Sequence, residues 1–259
     1  MPTVTVLDKL YGSNSSESFE KLYLHMLKGL DVKLRFVGLT DRKWIQLDVS
    51  GKDETVALNL LKKEVYFAPT SLVDLQNYPV LRGRAVFSNK TETELLVDLG
   101  LPTCDASVSL QRLRAQLCDG KPLGFKNLVK LFCLYNNLPL EIEIVEPTKS
   151  GAKTVEASLS EAQLLLFADW VRCRFDRLVV LGSFLFDVQH AIKLSGTFRD
   201  IIKVESLGSL EHVVVCKLGT DAVGLIPRIG RYIKSAVLVP FSPKKILETV
   251  GNEPFDWRT

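Results

Sequence analysis

The stretch between Val80 and Ser158 constrains the fold more than any other part of the sequence. It contains two strand-like segments, VLRGRAVF and TELLVDLG, and a short third one at Asp105–Val108. Helical periodicity then covers Leu110–Leu117 and Phe125–Tyr135, ahead of the strands LPLEIEIV and TVEAS, which the turn EPTKSGAK separates. The sequence therefore predicts five strands with a helical excursion between the third and the fourth.

This element order is that of an OB barrel, a closed five-stranded sheet that often binds nucleic acid. The second strand, with its VDLG sequence, also resembles the S1 subclass of that fold. In the first strand apolar residues alternate with Arg82 and Arg84, which places both arginines on the outer face of the barrel. We expect the barrel to occupy residues 79–158.

Similar α+β units precede and follow the predicted barrel. Residues 1–69 show the order strand, helix, strand, strand, helix, strand, from TVTVLD to VYFA. A linking helix capped by Ser160 comes next, and the same order recurs within 159–259, from RLVVLG to AVLVPF. The fold class predicted is α+β, with two ferredoxin-like βαββαβ units flanking a central OB/S1-like β-barrel.

The third strand of each outer unit ends in a similar turn. In DVSGKDETVALNLL and in CKLGTDAVGLIPRI, a glycine is followed by an aspartate within two residues and then by an apolar helix. This similarity favours an internal duplication on either side of the barrel. A strand-to-helix turn that selects glycine and an aspartate cap would give the same similarity, so both interpretations stay open.

Composition restricts the functional classes only loosely. Apolar residues make up 46% and charged residues 24% of the chain, and a net charge of +3 permits an acidic partner without requiring one. Five scattered cysteines with no C-x-x-C pair predict reduced thiols in the cytoplasm. The N-terminal sequence has no signal-peptide pattern, and the most apolar run, Leu178–Phe186, is about half as long as a membrane span. We expect a soluble cytoplasmic protein with no membrane contact.

No pattern in the sequence indicates catalysis. His25, His190 and His212 stand alone, at spacings unsuited to a shared metal ion. Nucleotide-binding, hydrolase and zinc-protease signatures do not occur, and neither does a motif that reads DNA sequence. We therefore predict no catalytic residue, no metal and no cofactor; a protein that is not an enzyme is favoured, and an enzyme stays open as the alternative.

Basic residues are the candidate contacts to nucleic acid. They are Arg82 and Arg84 on the first barrel strand, Arg112 and Arg114 on the helical excursion, Arg172 and Arg174 at the end of the linking helix, and Arg228, Arg231 and Lys234 near the C terminus. Cross-strand pairing with Glu141 and Glu143 would explain the first two equally well.

Trp44, beside Arg42 and Lys43, is the single candidate for stacking on a base. Neither third strand of the outer units carries the aromatic pattern of an RNA-recognition motif. Trp44 is equally well explained as a strand residue packed over the helices. RNA contact would therefore depend on charge and shape, or on the barrel.

The turn Gly219–Thr220–Asp221 is the candidate ligand loop. It begins a helix, whose free N–H groups attract anions, and Arg228 and Arg231 follow on that helix. However, Asp221 would itself cap the helix and repel a phosphate. The structural interpretation of this turn is therefore favoured over the phosphate-binding one.

Two segments, ESLGSLEHVVVCKLGTDAVGLIPRIGR at Glu205–Arg231 and GKDETVALNLL at Gly51–Leu61, resemble the domain-of-unknown-function family DUF2110. The resemblance implies an archaeal cytoplasmic protein and brings no established catalytic residues. The S1-like barrel implies a role that touches RNA or the translation machinery.

Two hypotheses of different classes rank above a third, an enzyme that uses the Gly219–Asp221 loop. The first is a non-enzymatic RNA-binding protein associated with the ribosome or with translation. The second is a small-molecule-binding regulatory protein built on paired ferredoxin-like units, with the two glycine–aspartate turns as contact points.

Overall fold

The computed structural model describes residues 3–71, 75, 80–87, 93–145 and 154–251. The fold is mixed α+β: a closed five-stranded barrel, with one sheet formed by residues before it and another by residues after it. The predicted turn at 146–153 lies outside the described residues. The prediction of a closed mid-chain barrel is confirmed.

The N-terminal unit has a three-stranded antiparallel sheet in the order β1-β3-β2. Its elements are β1 (Thr3–Lys9), α1 (Ser16–Met26), β2 (Val32–Leu39), β3 (Trp44–Gly51) and α2 (Glu54–Glu64). The strand predicted at VYFA is reduced to a single antiparallel bridge between Val6 and Phe67, beside β1. Tyr66, with a φ of 58°, explains the difference, because this left-handed backbone interrupts an extended strand.

The two faces of this sheet have different neighbours. Ile45, Leu47 and Val49 alternate along β3 and pack, fully buried, with residues of α1 and α2. Trp44 on the opposite face packs with Leu7 and Ala68 in a separate small cluster. The helices therefore cover one face, and the other face is available to the barrel.

The barrel closes in the order β4-β5-β6-β8-β7. Its strands are β4 (Val80–Val86), β5 (Glu94–Asp98), β6 (Asp105–Ser109), β7 (Pro139–Ile144) and β8 (Thr154–Leu159). β6 and β8 pair in parallel, and the other neighbours are antiparallel. Two helices, α3 (Leu110–Cys118) and α4 (Phe125–Leu131), occupy the connection between β6 and β7, as the periodicity predicts.

The C-terminal unit has a four-stranded antiparallel sheet in the order β10-β11-β9-β12. It follows the linking helix α5 (Glu161–Arg172) and contains β9 (Arg177–Leu181), α6 (Leu185–Leu194), β10 (Ile201–Ser206), β11 (Glu211–Cys216), α7 (Ala222–Ile229), β12 (Val237–Phe241) and α8 (Pro243–Val250). Pro227 lies inside α7, which starts at Ala222.

The central strands of this sheet are buried on both faces. On β9, Leu178 and Val180 pack with residues of α6 and α7. Their neighbours Val179 and Leu181 belong instead to the hydrophobic core of the barrel. The barrel and the C-terminal sheet therefore share one continuous core.

A chain of aromatic rings crosses this shared core. Phe132 after α4 contacts Phe167 of α5, which contacts Trp170, which contacts Phe241 of β12. The three centroid distances are 5.6, 5.8 and 5.1 Å, all in edge-to-face geometry. Helix α5 therefore packs between the barrel and the C-terminal sheet.

Candidate nucleic-acid interface

Arg82 is engaged in a cross-strand pair. It lies directly opposite Glu141 in the β4–β7 register, and its Nε atom is 3.2 Å from the Glu141 carboxylate. Its guanidinium also stacks over the Tyr66 ring, 4.0 Å from the centroid. Of the two interpretations of Arg82, the structure thus shows cross-strand pairing with Glu141.

Arg84 is only 4% exposed, so the prediction that it presents charge to nucleic acid is wrong. Its Nη2 atom donates to the Leu7 carbonyl at 3.0 Å and lies 3.3 Å from Asp8. Its Nη1 atom forms an ion pair with Glu211. The strand pattern correctly placed Arg84 outside the barrel wall, but both other units cover that part of the wall.

The ionic junction is the name we give to the buried polar cluster around Arg84. It consists of Asp8, Tyr11, Tyr23, Arg84, Ser209 and Glu211. Asp8 accepts hydrogen bonds from the hydroxyls of Tyr23 at 2.9 Å and Ser209 at 2.7 Å. Glu211 accepts from the Tyr11 hydroxyl at 2.5 Å. The cluster joins the N-terminal unit, the barrel and the C-terminal unit at one point.

Burial sets the electrostatics of the ionic junction. Desolvation, opposed by the charge of Arg84, raises the pKa of Asp8 to about 6. Desolvation works against the charge of Arg84, but the carboxylates of Glu211 and Asp8 outweigh it and raise the pKa of that guanidinium. Desolvation and the neighbouring carboxylates also raise the pKa of Tyr11 and Tyr23. Both phenols are therefore hydrogen-bond donors at neutral pH.

Trp44 is fully buried, so the prediction that it stacks on a base is wrong. Its indole nitrogen donates to both oxygens of Asp98 on β5, at 3.1 and 3.2 Å. Lys9 pairs with the same carboxylate at 2.5 Å, and Arg42 pairs with Asp98 and with Asp105 on β6. The outer face of β5 and β6 therefore carries carboxylates that bind the N-terminal unit.

The arginines of the helical excursion also have partners. Arg112 pairs with Glu156 at 2.6 Å, and the Nε atom of Arg114 donates to the Leu123 carbonyl at 2.7 Å. Both side chains are partly exposed. They remain accessible, but the charge of Arg112 is locally compensated.

The remaining candidates lie on the surface of α5 and the C-terminal unit. Arg172 pairs with Asp169 at 3.3 Å, and Arg228 pairs with Asp200 at 3.1 Å. Arg231 donates to the Pro227 carbonyl at 3.4 Å. Lys234 is exposed, as is Arg174, and neither side chain has an ion-pair partner within the described residues.

The C-terminal cleft is a surface groove of about 710 Å³ next to the β11–α7 turn. Its lining residues are Arg174, Asp176, Lys217, Leu218, Gly219, Thr220, Asp221, Val223, Ser242, Lys244, Lys245 and Glu248. It brings together Arg174 and the candidate loop Gly219–Thr220–Asp221, which are distant in sequence. Sequence reasoning missed Lys217, whose position directly after a buried strand was the available signal.

Two of the three carboxylates among the described lining residues of the C-terminal cleft, Asp176 and Asp221, have structural roles. Asp221 accepts from the Val223 N–H at 2.9 Å and caps α7, as the structural interpretation predicted. Asp176 accepts from the Ser242 hydroxyl at 3.2 Å and from the Ala222 N–H at 3.4 Å. These contacts leave the carboxylates occupied by hydrogen-bond donors of the protein itself.

The cations of the C-terminal cleft are less compensated. Lys244 is 3.9 Å from Glu248 on the same helix. Arg174, Lys217 and Lys245 are exposed, and within the described residues no carboxylate pairs with them. Three cations from three separate segments therefore line one groove without an ion-pair partner. Together with Lys244 they make four cations against three lining carboxylates, Asp176, Asp221 and Glu248, so the described lining carries a net charge of +1, which favours phosphate groups.

A second cleft of about 610 Å³ lies between the N-terminal sheet and the barrel. Thr5 and Gln46 of the sheet, Arg42, and Gly100 and Pro102 of the barrel are among its lining residues. The turn at Gly51 contributes to neither cleft. The two glycine–aspartate turns therefore do not share a contact surface in the described clefts.

In the described ranges, no three His, Cys, Asp or Glu residues are grouped so that they could hold a metal ion. None of the helices described there has the length and apolar character needed to cross a bilayer. All five cysteines are free thiols.

The fold and the clefts define an α+β protein with a closed barrel and a basic surface groove as its candidate binding site. Family models match two regions: the DUF2110 N-terminal domain at residues 3–70 and the DUF2110 C-terminal domain at 175–240. Together they cover more than half of the chain, which belongs to the DUF2110 family. A search of curated proteins gives no match.

Proposed function

We propose that this protein binds RNA without catalysing a reaction, and that the C-terminal cleft contacts RNA phosphates. The observation that carries the proposal is a set of three cations, Arg174, Lys217 and Lys245, that line one groove of about 710 Å³ and have no ion-pair partner within the described residues. Contacts to phosphate supply most of the sequence-independent affinity for nucleic acid. None of the described residues that line the groove is aromatic, so the proposed contacts are electrostatic rather than stacking interactions.

The proposal includes an assignment of the three units. We assign residues 1–69 and 159–259 as ferredoxin-like units, the second with its linking helix, and 79–158 as an OB/S1-like barrel. The strand orders β1-β3-β2 with the Phe67 bridge beside β1, β10-β11-β9-β12, and β4-β5-β6-β8-β7 support this assignment. In this chain the β5–β6 face of the barrel binds the N-terminal unit, which moves the proposed RNA contact to the C-terminal cleft.

The proposed setting is the cytoplasm of an archaeal cell, in association with the ribosome or with translation. The family resemblance supports the archaeal origin, and five reduced thiols support a reducing compartment. The barrel assignment supports the link to translation by analogy of fold alone.

The test is a titration of fluorescently labelled single-stranded RNA followed by anisotropy at several KCl concentrations. We expect affinity to fall steeply with salt, with a logarithmic slope of about −0.7 for each phosphate contacted. The triple variant Arg174→Ala/Lys217→Ala/Lys245→Ala should bind at least about tenfold more weakly and with a shallower slope.

The matched control removes the same charge elsewhere. Lys21, Lys28 and Lys63 are exposed residues in or next to the helices of the N-terminal unit, far from the groove in the chain. Their triple alanine variant should retain most of the affinity. Equal losses in both triple variants would show that net charge, and not the C-terminal cleft, determines binding.

The second cleft favours a second candidate function, the binding of a small molecule. Its volume of about 610 Å³ and its position between two units are typical of ligand sites. A thermal-shift screen with metabolites tests this function, because a ligand that prefers the folded state raises the melting temperature. The shift should disappear in Thr5→Phe, which places a larger side chain in the cleft.

A further inference from the structure

The charges of the ionic junction do not balance when every acid is ionised. Asp8 of β1 and Glu211 of β11 face one cation, Arg84 of β4. The hydroxyls of Tyr11, Tyr23 and Ser209 complete the contacts and bring no charge. The fully ionised junction therefore holds one uncompensated negative charge in a buried site, which is energetically costly.

Among the residues that the structure describes, neighbouring charges do not supply the missing cation. Lys9 pairs with Asp98, and Arg82 pairs with Glu141. His212, next to Glu211, contacts the Ser206 hydroxyl at 3.1 Å, and desolvation lowers its pKa. Glu64 lines the small cavity of about 40 Å³ that adjoins Asp8, and it adds a further negative charge. A proton on one of the buried acids is the remaining way to neutralise the junction.

We propose that the ionic junction is a protonation-controlled latch: a proton on Asp8 holds the N-terminal unit against the barrel and the C-terminal unit, and its loss loosens that contact. The pKa of Asp8, raised to about 6 by desolvation, places the transition in the accessible pH range. When Asp8 is protonated, it can donate to one of its two hydroxyl neighbours, because the Ser209 and Tyr23 hydroxyls also accept.

The direction of the pH dependence follows from the difference in proton affinity between the closed and the open state. An aspartate in open, solvated chain titrates near 3.9, whereas Asp8 in the closed junction titrates at about 6. The closed state therefore binds the proton more tightly, and opening increases as pH rises from about 4 to about 6. One proton with these two pKa values makes opening about tenfold more frequent at pH 7 than at pH 5.

Hydrogen exchange measured by mass spectrometry tests the latch. Protection of β1, Thr3–Lys9, is compared at pH 5 and pH 7 after division by the intrinsic exchange rates. In the wild type, protection of β1 should be about tenfold lower at pH 7 than at pH 5, while protection of β9 and β12 should differ by less than twofold. Equal loss across all strands would overturn the latch, because it would report global unfolding.

Two variants make the test specific. Asp8→Asn mimics the protonated acid, and Glu211→Gln leaves one acid facing one cation, so each should change by less than twofold between the two pH values. Asp169→Asn, at an exposed position on α5, should keep the tenfold change. A tenfold change that persists in Asp8→Asn would overturn the proposal. If that variant does not fold, the same result in Glu211→Gln decides against it.

Discussion

The indole nitrogen of Trp44 donates to both carboxylate oxygens of Asp98, at 3.1 and 3.2 Å, across the contact between the N-terminal unit and the barrel. The same carboxylate pairs with Lys9 and accepts from the Gly100 N–H at 2.9 Å. One acid on the outer barrel wall thus satisfies donors from two units. Its side chain is 3% exposed, so these contacts are made largely without water.

Replacing this acid tests how strongly the contact holds. Asp98→Asn keeps the shape of the side chain but removes the charge that faces Lys9 and Arg42, so two cations lose a buried partner. We expect the free energy of unfolding in urea to fall by about 2–4 kcal/mol. Asp169→Asn, in an exposed pair on α5, should change it by less than about 0.5 kcal/mol.

Removal of the cation of the ionic junction should be more severe. Arg84→Met retains much of the side-chain volume but leaves Asp8 and Glu211 buried without their shared partner. We expect a loss of about 3–5 kcal/mol in chemical denaturation at neutral pH, partly recovered under acid conditions that protonate the carboxylates. Arg172→Met, at an exposed position, is the control; an equally small effect of both would refute the importance of the junction.

Gly208 should be intolerant of a side chain, because it packs against the ionic junction. A Cβ atom there would lie 2.3 Å from the Glu211 carboxylate and 3.2 Å from Arg84. Gly208→Ala should therefore lower the free energy of unfolding, measured by thermal denaturation, by about 1–3 kcal/mol, because the added methyl group displaces Glu211 and Arg84. Gly38→Ala, where a Cβ would meet no atom within 4 Å, is the matched control and should be nearly neutral.

The Asp221 cap gives a prediction that separates structure from binding. Asp221→Ala removes the acceptor for the Val223 N–H and should cost about 1 kcal/mol, measured by denaturant unfolding. Asp221→Asn should retain most of that stability, since asparagine is also a good cap. RNA affinity should not decrease in either variant, because both remove a negative charge from the C-terminal cleft. A selective loss of affinity would assign this side chain a direct contact.

The sequence allowed the element order to be predicted well, because strand alternation and helical periodicity are local signals. The barrel strands and the helices between β6 and β7 follow directly from them. The missing strand at Tyr66 was not predictable from its apolar sequence, since a left-handed backbone depends on contacts such as its stacking with Arg82.

The candidate site was harder to predict for a different reason. Alternation correctly places Arg84 outside the barrel wall, but it cannot indicate which parts of that wall another unit covers. Trp44 was a candidate for stacking because Arg42 and Lys43 precede it, yet Arg42 is paired with two barrel acids. The position of Lys217 after a buried strand is a local signal, but its proximity to Arg174 depends on the packing of α5 and the C-terminal sheet, which the local sequence does not indicate.

The two-sided burial of β9 has a consequence for how such a chain can be inherited. If residues 175–240, the extent of the matched C-terminal domain, were encoded alone, Val179 and Leu181 would be exposed to water. The core in which these two side chains are buried includes residues of the barrel and of α5. Recombination could therefore join this segment only to another protein that has an apolar surface of matching shape. We therefore expect the barrel and the C-terminal sheet to occur together in related proteins, as one evolutionary unit.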